Sequence, residues 1–364
     1  MDTTKISKTK DIKKFRNLLL PWYRENQRKL PWRESKDPYH IWISEVMLQQ
    51  TQVVTATPYF HRFMEKFPTI AALAKADLQL VLKMWEGLGY YARARNFHKA
   101  ANIVAEKYDG RIPGDYEDFR QLPGVGGYIA AAVQSIAFGH PYAVVDGNVK
   151  RVLSRLFEIE APANDTSSLK IYQQVADELL ARENAGDFNQ AVMELGAMVC
   201  RPQQPDCSSC PLISCCAAFA NSTQDKFPIK KPRKKVPEYH HVIGVIEKDG
   251  RLLITKRPEN GLLGGFWEFP GGEVQKNDRL EDACLREIKS EVNLDVSISK
   301  YLTRVRHAYT HFKVIADVFI CQYVSGEPAL NEAVDYRWVD PDDIDSYPFP
   351  KINHKFIPFI KSNE

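Results

Sequence analysis

The stretch that decides the fold is LPGVGGYIAAAVQSIAFGHPYAVVDGNVKRVLSR, Leu122 to Arg155. Gly124 and Gly126 place a tight turn just before an alanine-rich run, so unobstructed backbone N–H groups can face a phosphate at a helix N-terminus. A glycine-rich loop joining two packed helices would read the same way on its own. The continuation adds to it, because the apolar run AVV delivers Asp146 to the start of another helix, which carries Lys150, Arg151 and Arg155. An aspartate before Gly-Asn-Val at a helix start is an N-cap. A carboxylate partly buried beside β-branched residues is also placed to face a developing cation in a water-poor cleft, where electrostatic stabilisation is largest. The two readings are compatible.

Outward from this stretch, apolar residues recur at three- and four-residue intervals from Phe15 to Ala220, as in Phe15, Leu18, Leu19, Trp22 and Tyr23, or Leu80, Val81, Met84 and Trp85. Glycine and proline pairs at Lys29 to Pro38, Gly87 to Tyr90, Arg111 to Asp115 and Pro123 to Gly127 mark loops between helices. Residues 1–221 therefore read as an all-α domain. Residues 222–237, STQDKFPIKKPRKKVP, combine three prolines with six basic side chains and suit a semi-rigid linker. Beyond it, residues 238–364 change to short β-prone runs, HHVIGVIEK, RLLITKR, KVIADVFICQYV and YRWVD, with one helical stretch from Arg279 to Val292. That half reads as an α+β domain, so the fold class is multi-domain, all-α followed by α+β.

The length of 364 residues, with 44% hydrophobic and 26% charged side chains, supports two domains and excludes a small disulfide-stapled scaffold. No apolar run approaches the ~18 residues a membrane span needs. The polar, basic start MDTTKISKTKDIKK lacks a secretory apolar stretch, so the expected compartment is the cytosol, where thiols stay reduced. The net charge of +3 is unevenly spread: +2 over residues 1–225, +6 over 226–235 and −5 over 236–364.

Four of the seven cysteines, Cys200, Cys207, Cys210 and Cys216, fall within 17 residues. Four thiolates in a short proline-bearing loop can close a tetrahedral zinc site or hold a cubane cluster, and the spacing admits both. Cys215 is a spare, and Cys284 and Cys321 read as buried small hydrophobes.

The hairpin, the aspartate about 20 residues after it and the cysteine loop together resemble the helix-hairpin-helix DNA glycosylase superfamily. SEVMLQQTQV (Ser44 to Val53), LPWR (Leu30 to Arg33), EGLGYYARARN (Glu86 to Asn96), VDGNV (Val145 to Val149) and HAYTH (His307 to His311) narrow the resemblance to MutY-type adenine DNA glycosylases. They occur in one order and span nearly the whole chain. The resemblance implies that Glu45 protonates adenine N7 while Asp146 stabilises, or transiently bonds, C1′ of an oxocarbenium-like sugar. The residues agree: Glu45 sits among Ile41, Trp42 and Leu48 at helical spacing, and desolvation raises a carboxyl pKa toward the range a general acid needs. A solvated glutamate at the edge of an apolar stripe is the bland alternative. Tyr128 stands where endonuclease III-type relatives carry a Schiff-base lysine, which implies a monofunctional enzyme leaving an abasic site. By the same resemblance, Tyr128 and Asn148 orient the carboxylates, Gln50 and Tyr90 wedge around the lesion, Arg33 lies near the adenine pocket, and the cysteines hold a [4Fe–4S] cluster. Arg93, Arg95, Lys150, Arg151 and the linker's basic run are candidates for neutralising phosphates.

GGFWEFPGGEV followed by RLEDACLREIKSEVNL resembles the Nudix fold and its metal-binding box. Gly272, Arg286, Glu287, Ile288, Glu291 and Leu294 match the box, while Asp278, Ser290 and Asn293 stand where Glu, Glu and Gly are expected. The resemblance implies a lesion-recognition domain without hydrolysis, read by Tyr309, Thr310 and His311, with a threonine where serine is more usual. The expected partner is double-stranded DNA holding adenine opposite 8-oxoguanine or guanine. The protein is expected to be a monomer, cytosolic, and nucleoid-associated through DNA. Two alternatives stay open: a dual enzyme that also hydrolyses an oxidised nucleoside triphosphate, and a non-catalytic DNA-binding iron–sulfur protein.

Overall fold

Aspartates open several of the helices, because a short acceptor side chain satisfies backbone N–H groups that the first turn leaves free. Asp37 accepts from the Tyr39 N–H ahead of α2 (Pro38–Leu48), with Pro38 at the first helical position. Asp115 takes the N–H groups of Glu117 and Asp118 ahead of α7 (Tyr116–Arg120). The computed structural model describes residues 9–232 and 235–361, so Arg233 and Lys234 of the linker's basic run lie outside the described residues. The other helices up to residue 232 are α1 (Thr9–Asn26), α3 (Val53–Lys66), α4 (Ile70–Ala74), α5 (Leu78–Trp85), α6 (Ala92–Lys107), α8 (Gly127–Ile136), α9 (Gly147–Phe157), α10 (Leu169–Leu179), α11 (Ala185–Met198) and α12 (Ala217–Ala220). No strand occurs among the described residues up to 232, as the helical periodicity leads one to expect.

The chain forms two units, Met1–Ala74 with Lys99–Arg233, and Lys75–His98 with Lys234–Glu364. In the first, Phe15 and Leu19 of α1, Val152 and Leu156 of α9, Tyr172 and Val175 of α10, and Phe188, Val192 and Leu195 of α11 share one core. Helix α2 is buried nearly all round, from Tyr39 to Met47, which makes it a central helix rather than an amphipathic surface one. A Cβ on Gly196 would fall 2.7 Å from Asn148 Cβ, so only glycine lets α11 approach α9 this closely.

The second unit is a seven-stranded sheet of order β3-β2-β1-β6-β5, with β4 paired to β1 and β7 to β2. Its strands are β1 (Glu238–Lys248), β2 (Arg251–Lys256), β3 (Trp267–Glu268), β4 (Gly271–Glu273), β5 (Asp295–Ala308), β6 (Lys313–Ser325) and β7 (Asp335–Val339). β1 and β6 are parallel and the other pairs antiparallel. Helix α13 (Leu280–Val292) covers one face through Cys284, Ile288 and Val292. Ile344, Phe349, Phe356 and Ile357 cover the other, alongside α14 (Ile357–Lys361). The longest strand, β5, escaped the sequence reading. It is an edge strand with only Val305 buried, and Lys300, Arg304 and Arg306 break its apolar alternation.

Residues 75–98 read as part of the helical domain, yet they group with the C-terminal unit. Gln79 donates to the Gly265 carbonyl at 3.0 Å and accepts from the Trp267 indole at 3.0 Å. Arg95 donates to the Gly264 carbonyl at 2.9 Å, Glu86 accepts from the Phe349 N–H at 2.8 Å, and the rings of Tyr91 and Phe266 lie 4.3 Å apart. These are polar and aromatic contacts across long sequence separations, which helical periodicity does not record. Arg95 is thereby committed to backbone carbonyls, a correction to its expected phosphate role. The linker is likewise strapped down: Lys231 pairs with Asp165, and Arg155 donates to the carbonyls of Gln224 and Phe227.

Candidate active site

The turn that opens α8 is closed by Val125 N–H to the Leu122 carbonyl at 3.0 Å. Gly124 has φ +78°, which a side chain would strain, while Gly126 caps α8 in extended backbone. Both glycines are exposed, so the first N–H groups of α8 are open to an anion.

Helix α8 then carries Tyr128 onto Glu45 of α2, its hydroxyl donating to Glu45 Oε2 at 2.5 Å. Glu45 is 6% exposed. Burial pushes its pKa from 4.5 up to about 7; the Tyr128 hydrogen bond and the Arg33 charge pull it down, and Asp146 pushes it further up. Asp146 caps α9: Oδ1 accepts from the Val149 N–H at 2.7 Å, and Oδ2 from Asn148 Nδ2 at 2.8 Å. Burial raises the Asp146 pKa as well, opposed by those two bonds and by Arg151. The site thus holds two desolvated carboxyls that sense each other: one held by a phenol at the neutral-pH boundary, the other held by donors that favour its charge.

Arg33 Nη2 pairs with Glu194 Oε2 at 3.0 Å, and its Nε donates to Gln190 Oε1 at 3.1 Å. Gln50 is exposed with φ +57° at the end of α2. The structure therefore gathers Glu45, Tyr128, Asp146, Asn148 and Arg33 into one electrostatic site.

Cys200, Cys207, Cys210 and Cys216 line one small cavity beneath Arg155. Arg155 Nη1 approaches Cys200 Sγ at 3.3 Å. Burial pushes the Cys210 thiol up to about 12 and raises Cys207 and Cys216, with the cysteines reinforcing one another. Cys215 does not line the cavity. Among the described residues no three His, Cys, Asp or Glu side chains are spaced to share a single metal ion.

In the second unit, Tyr309 N–H closes a turn on the Phe312 carbonyl at 2.8 Å, and Thr310 Oγ1 hydrogen-bonds the hydroxyl of Tyr90. Tyr309 and His311 line a separate cavity in the same unit. Of the three expected readers, Thr310 meets Tyr90. In the box, Arg286 Nη1 pairs with Asp278 at 2.7 Å and its Nη2 with Glu287 at 2.8 Å, so Asp278 fills the place of the expected glutamate as a structural partner.

Residues 43–176 match the HhH-GPD superfamily of base excision DNA repair proteins, and residues 241–358 match the NUDIX domain. The adenine DNA glycosylase of Homo sapiens is 36% identical over 92% of this chain and 71% of its own length. That of Buchnera aphidicola (subspecies Schizaphis graminum) is 35% identical over 82% of this chain and 84% of its own. This chain belongs to the adenine DNA glycosylase family. Among solved structures, a thermostable thymine-DNA glycosylase is 30% identical with a TM-score of 0.54, covering 58% of this chain and 98% of that one.

The buried carboxylate Glu194 of this adenine DNA glycosylase was not singled out by sequence. Glu194, 1% exposed, binds both Arg28 (2.8 Å) and Arg33, and the two arginines hold its pKa down at about 2 against the opposing effect of burial. Its signal was available: a lone carboxylate in AVMELGAM, the same pattern that flagged Glu45. Arg151 donates to Asn148 Oδ1, the Gly196 carbonyl and the Cys200 carbonyl, each at 2.7 Å. It is buried and structural, not a phosphate contact. Lys150 Nζ reaches the Ala163 carbonyl at 3.1 Å, and Arg93 packs on the rings of Trp85 and Tyr90, so neither stands free for phosphate as expected. Among the described residues no helix is long and apolar enough to cross a membrane.

Proposed function

We propose that this protein is a monofunctional adenine DNA glycosylase that removes adenine opposite 8-oxoguanine or guanine in duplex DNA and leaves an abasic site. The observation that carries the reading is the Tyr128–Glu45 hydrogen bond beside Asp146. A carboxyl with a pKa of about 7 is half protonated at neutral pH, which suits a general acid toward adenine N7. As the base leaves, positive charge builds on the sugar, and Asp146, pre-oriented by Val149 N–H and Asn148, stabilises it. Tyr128 offers no amine for a Schiff base, so strand scission is not part of the cycle. Arg33, fixed by Glu194 and Gln190, lines the adenine side. The open N–H groups after Gly124 and Gly126 take a backbone phosphate, and Gln50 and Tyr90 hold the duplex open. Thr310, hydrogen-bonded to Tyr90, reads the lesion, flanked by Tyr309 and His311.

By resemblance to the family, the four cysteines, which line one cavity with Arg155, would hold a [4Fe–4S] cluster. Such a cluster ties together the chain from Cys200 to Cys216. Through Arg151, the Cys200 carbonyl is joined to Asn148 and so to Asp146. The protein acts as a cytosolic monomer.

Single-turnover excision on duplexes with adenine opposite 8-oxoguanine, guanine or thymine, scored before and after alkali, tests the proposal. Alkali-dependent cleavage confined to the first two supports it. Strand breaks without alkali, or equal excision opposite thymine, would overturn it.

A further inference from the structure

Residues 139–146, the run that delivers Asp146 to α9, belong to no helix or strand. Their side chains still alternate as in an extended chain. Ala143 and Val145 enter the core shared by α1, α9, α10 and α11, while Val144 enters the cluster of Ala131 and Ala132 on α8. Buried backbone in such a run needs partners, and among the described residues up to 232 there is no strand to supply them. Side chains do so here. Asn189 of α11, 2% exposed, accepts from the Val144 N–H at 3.0 Å through Oδ1 and donates from Nδ2 to the Tyr142 carbonyl at 2.8 Å. One amide thus grips the chain on either side of Ala143, as a paired strand would. Gln173 Nε2, on α10, donates to the Ala143 carbonyl at 3.0 Å.

Asn189 is itself held from behind. Its Nδ2 also donates to Ser135 Oγ at 2.9 Å, and Ser135, near the end of α8, donates to the Ala132 carbonyl at 3.2 Å. Helix α11 meets both ends of the run: a Cβ on Gly186 would fall 2.7 Å from the Ser135 carbonyl oxygen, and one on Gly196 2.7 Å from Asn148 Cβ. Those contacts lie about 15 Å apart along α11, with Asn189 between them. The helix therefore fixes the gap between the end of α8 and the start of α9, and Asn189 fixes the register of the chain that crosses it. A slip of one residue would exchange the side chains entering the two clusters and displace Asp146. The bonds of Asp146 to the Val149 N–H and Asn148 Nδ2 hold its carboxylate relative to α9 alone. Its place relative to α8, which carries Tyr128, comes from the grip of Asn189.

We propose that Asn189 is a positioning residue for excision: through the backbone of Tyr142 to Val144 it places Asp146 against the positive charge that develops on the sugar. The inference rests on the excision reading given above.

Two variants and two duplexes test it. Asn189→Leu keeps the side-chain volume and removes both bonds to the run. Gln173→Leu, at a half-buried position, removes the bond to Ala143 and decides alone should the first variant fail to fold. Single-turnover excision from an adenine:8-oxoguanine duplex should fall about a hundredfold in Asn189→Leu and less in Gln173→Leu. Gel shift then compares a neutral duplex, holding an uncleavable 2′-fluoro-2′-deoxyadenosine, with one carrying a cationic pyrrolidine in place of the target sugar. A well-placed carboxylate favours the second. Wild type should hold the cationic duplex more tightly; Asn189→Leu should lose about tenfold of that preference, Gln173→Leu a smaller part, and both should keep the neutral duplex. A parallel loss of both duplexes would mark residues that only support the fold, and unchanged excision would remove the positioning role; either result overturns the proposal. Wild type that excises no adenine, or does not prefer the cationic duplex, would overturn the excision reading and the inference with it.

Discussion

Removing the Tyr128 hydroxyl should move the pH at which excision switches off. Its bond to Glu45 Oε2, at 2.5 Å in a site where Glu45 is 6% exposed, stabilises the charged carboxylate and pulls its pKa down toward 7. A hydrogen bond to a charged group contributes about 1.5–3 kcal/mol, and one pKa unit corresponds to about 1.4 kcal/mol. In Tyr128→Phe the Glu45 pKa should therefore rise by about one to two units. The direction follows from burial: with the donor gone, desolvation is opposed only by Arg33. A general acid works in its protonated form, so the wild-type excision rate should fall as pH rises through about 7. In the variant that fall should come about one to two units higher. Single-turnover excision from an adenine:8-oxoguanine duplex between roughly pH 5.5 and 9.5, quenched in alkali, measures it. An alkaline limb that stays in place or shifts downward would refute the role given to the hydroxyl. A variant inactive at every pH would refute it too, by showing that Tyr128 does more than set the acid.

Three further outcomes are expected. Asp146→Asn should lower excision by at least about two orders of magnitude while mismatch binding, followed by gel shift, is kept; retained excision would remove Asp146 from the mechanism. Glu194→Gln should destabilise the helical unit by about 3–5 kcal/mol, since two arginines lose their buried carboxylate. Because the folded pKa of Glu194 is lowered to about 2, its stabilisation is complete above the ordinary pKa of 4.5 and is lost as pH falls toward 2, so denaturation curves of wild type and variant should converge there. Cys216→Ser should lose bound iron and its visible absorbance, whereas Cys215→Ser should retain both; the reverse would reassign the fourth ligand.

The legible parts of the site were those written as local pattern. Asp146 before Gly-Asn-Val gives its N-cap role directly, and a lone Glu45 in an apolar helix gives its desolvation. The helical half followed from periodicity, and α13 differs from the expected span only by Arg279, which serves as its cap. The rest depended on pairs far apart in sequence. Nothing near Arg33 announces Glu194, 161 residues away, and nothing near Arg95 announces the Gly264 carbonyl. Arginines therefore misled: charge invites a phosphate reading, while Arg95 and Arg151 are buried and donate to carbonyls inside the protein. The strand β5 was hidden for a related reason, since an edge strand exposes the charged side chains that mask its alternation.

The grouping of residues 75–98 with the sheet unit means that the chain enters that unit, leaves it, and returns. A protease cutting near residue 233 would sever the backbone between the units without separating the pieces. The N-terminal fragment would still carry Gln79, Glu86 and Arg95, each hydrogen-bonded to the C-terminal fragment. Nicked protein should accordingly elute as one particle under native conditions and as two bands after denaturation. For the same reason, a gene split at the linker would give two polypeptides suited to reassembly, whereas an N-terminal half made alone would leave Tyr91 without the Phe266 ring that packs on it.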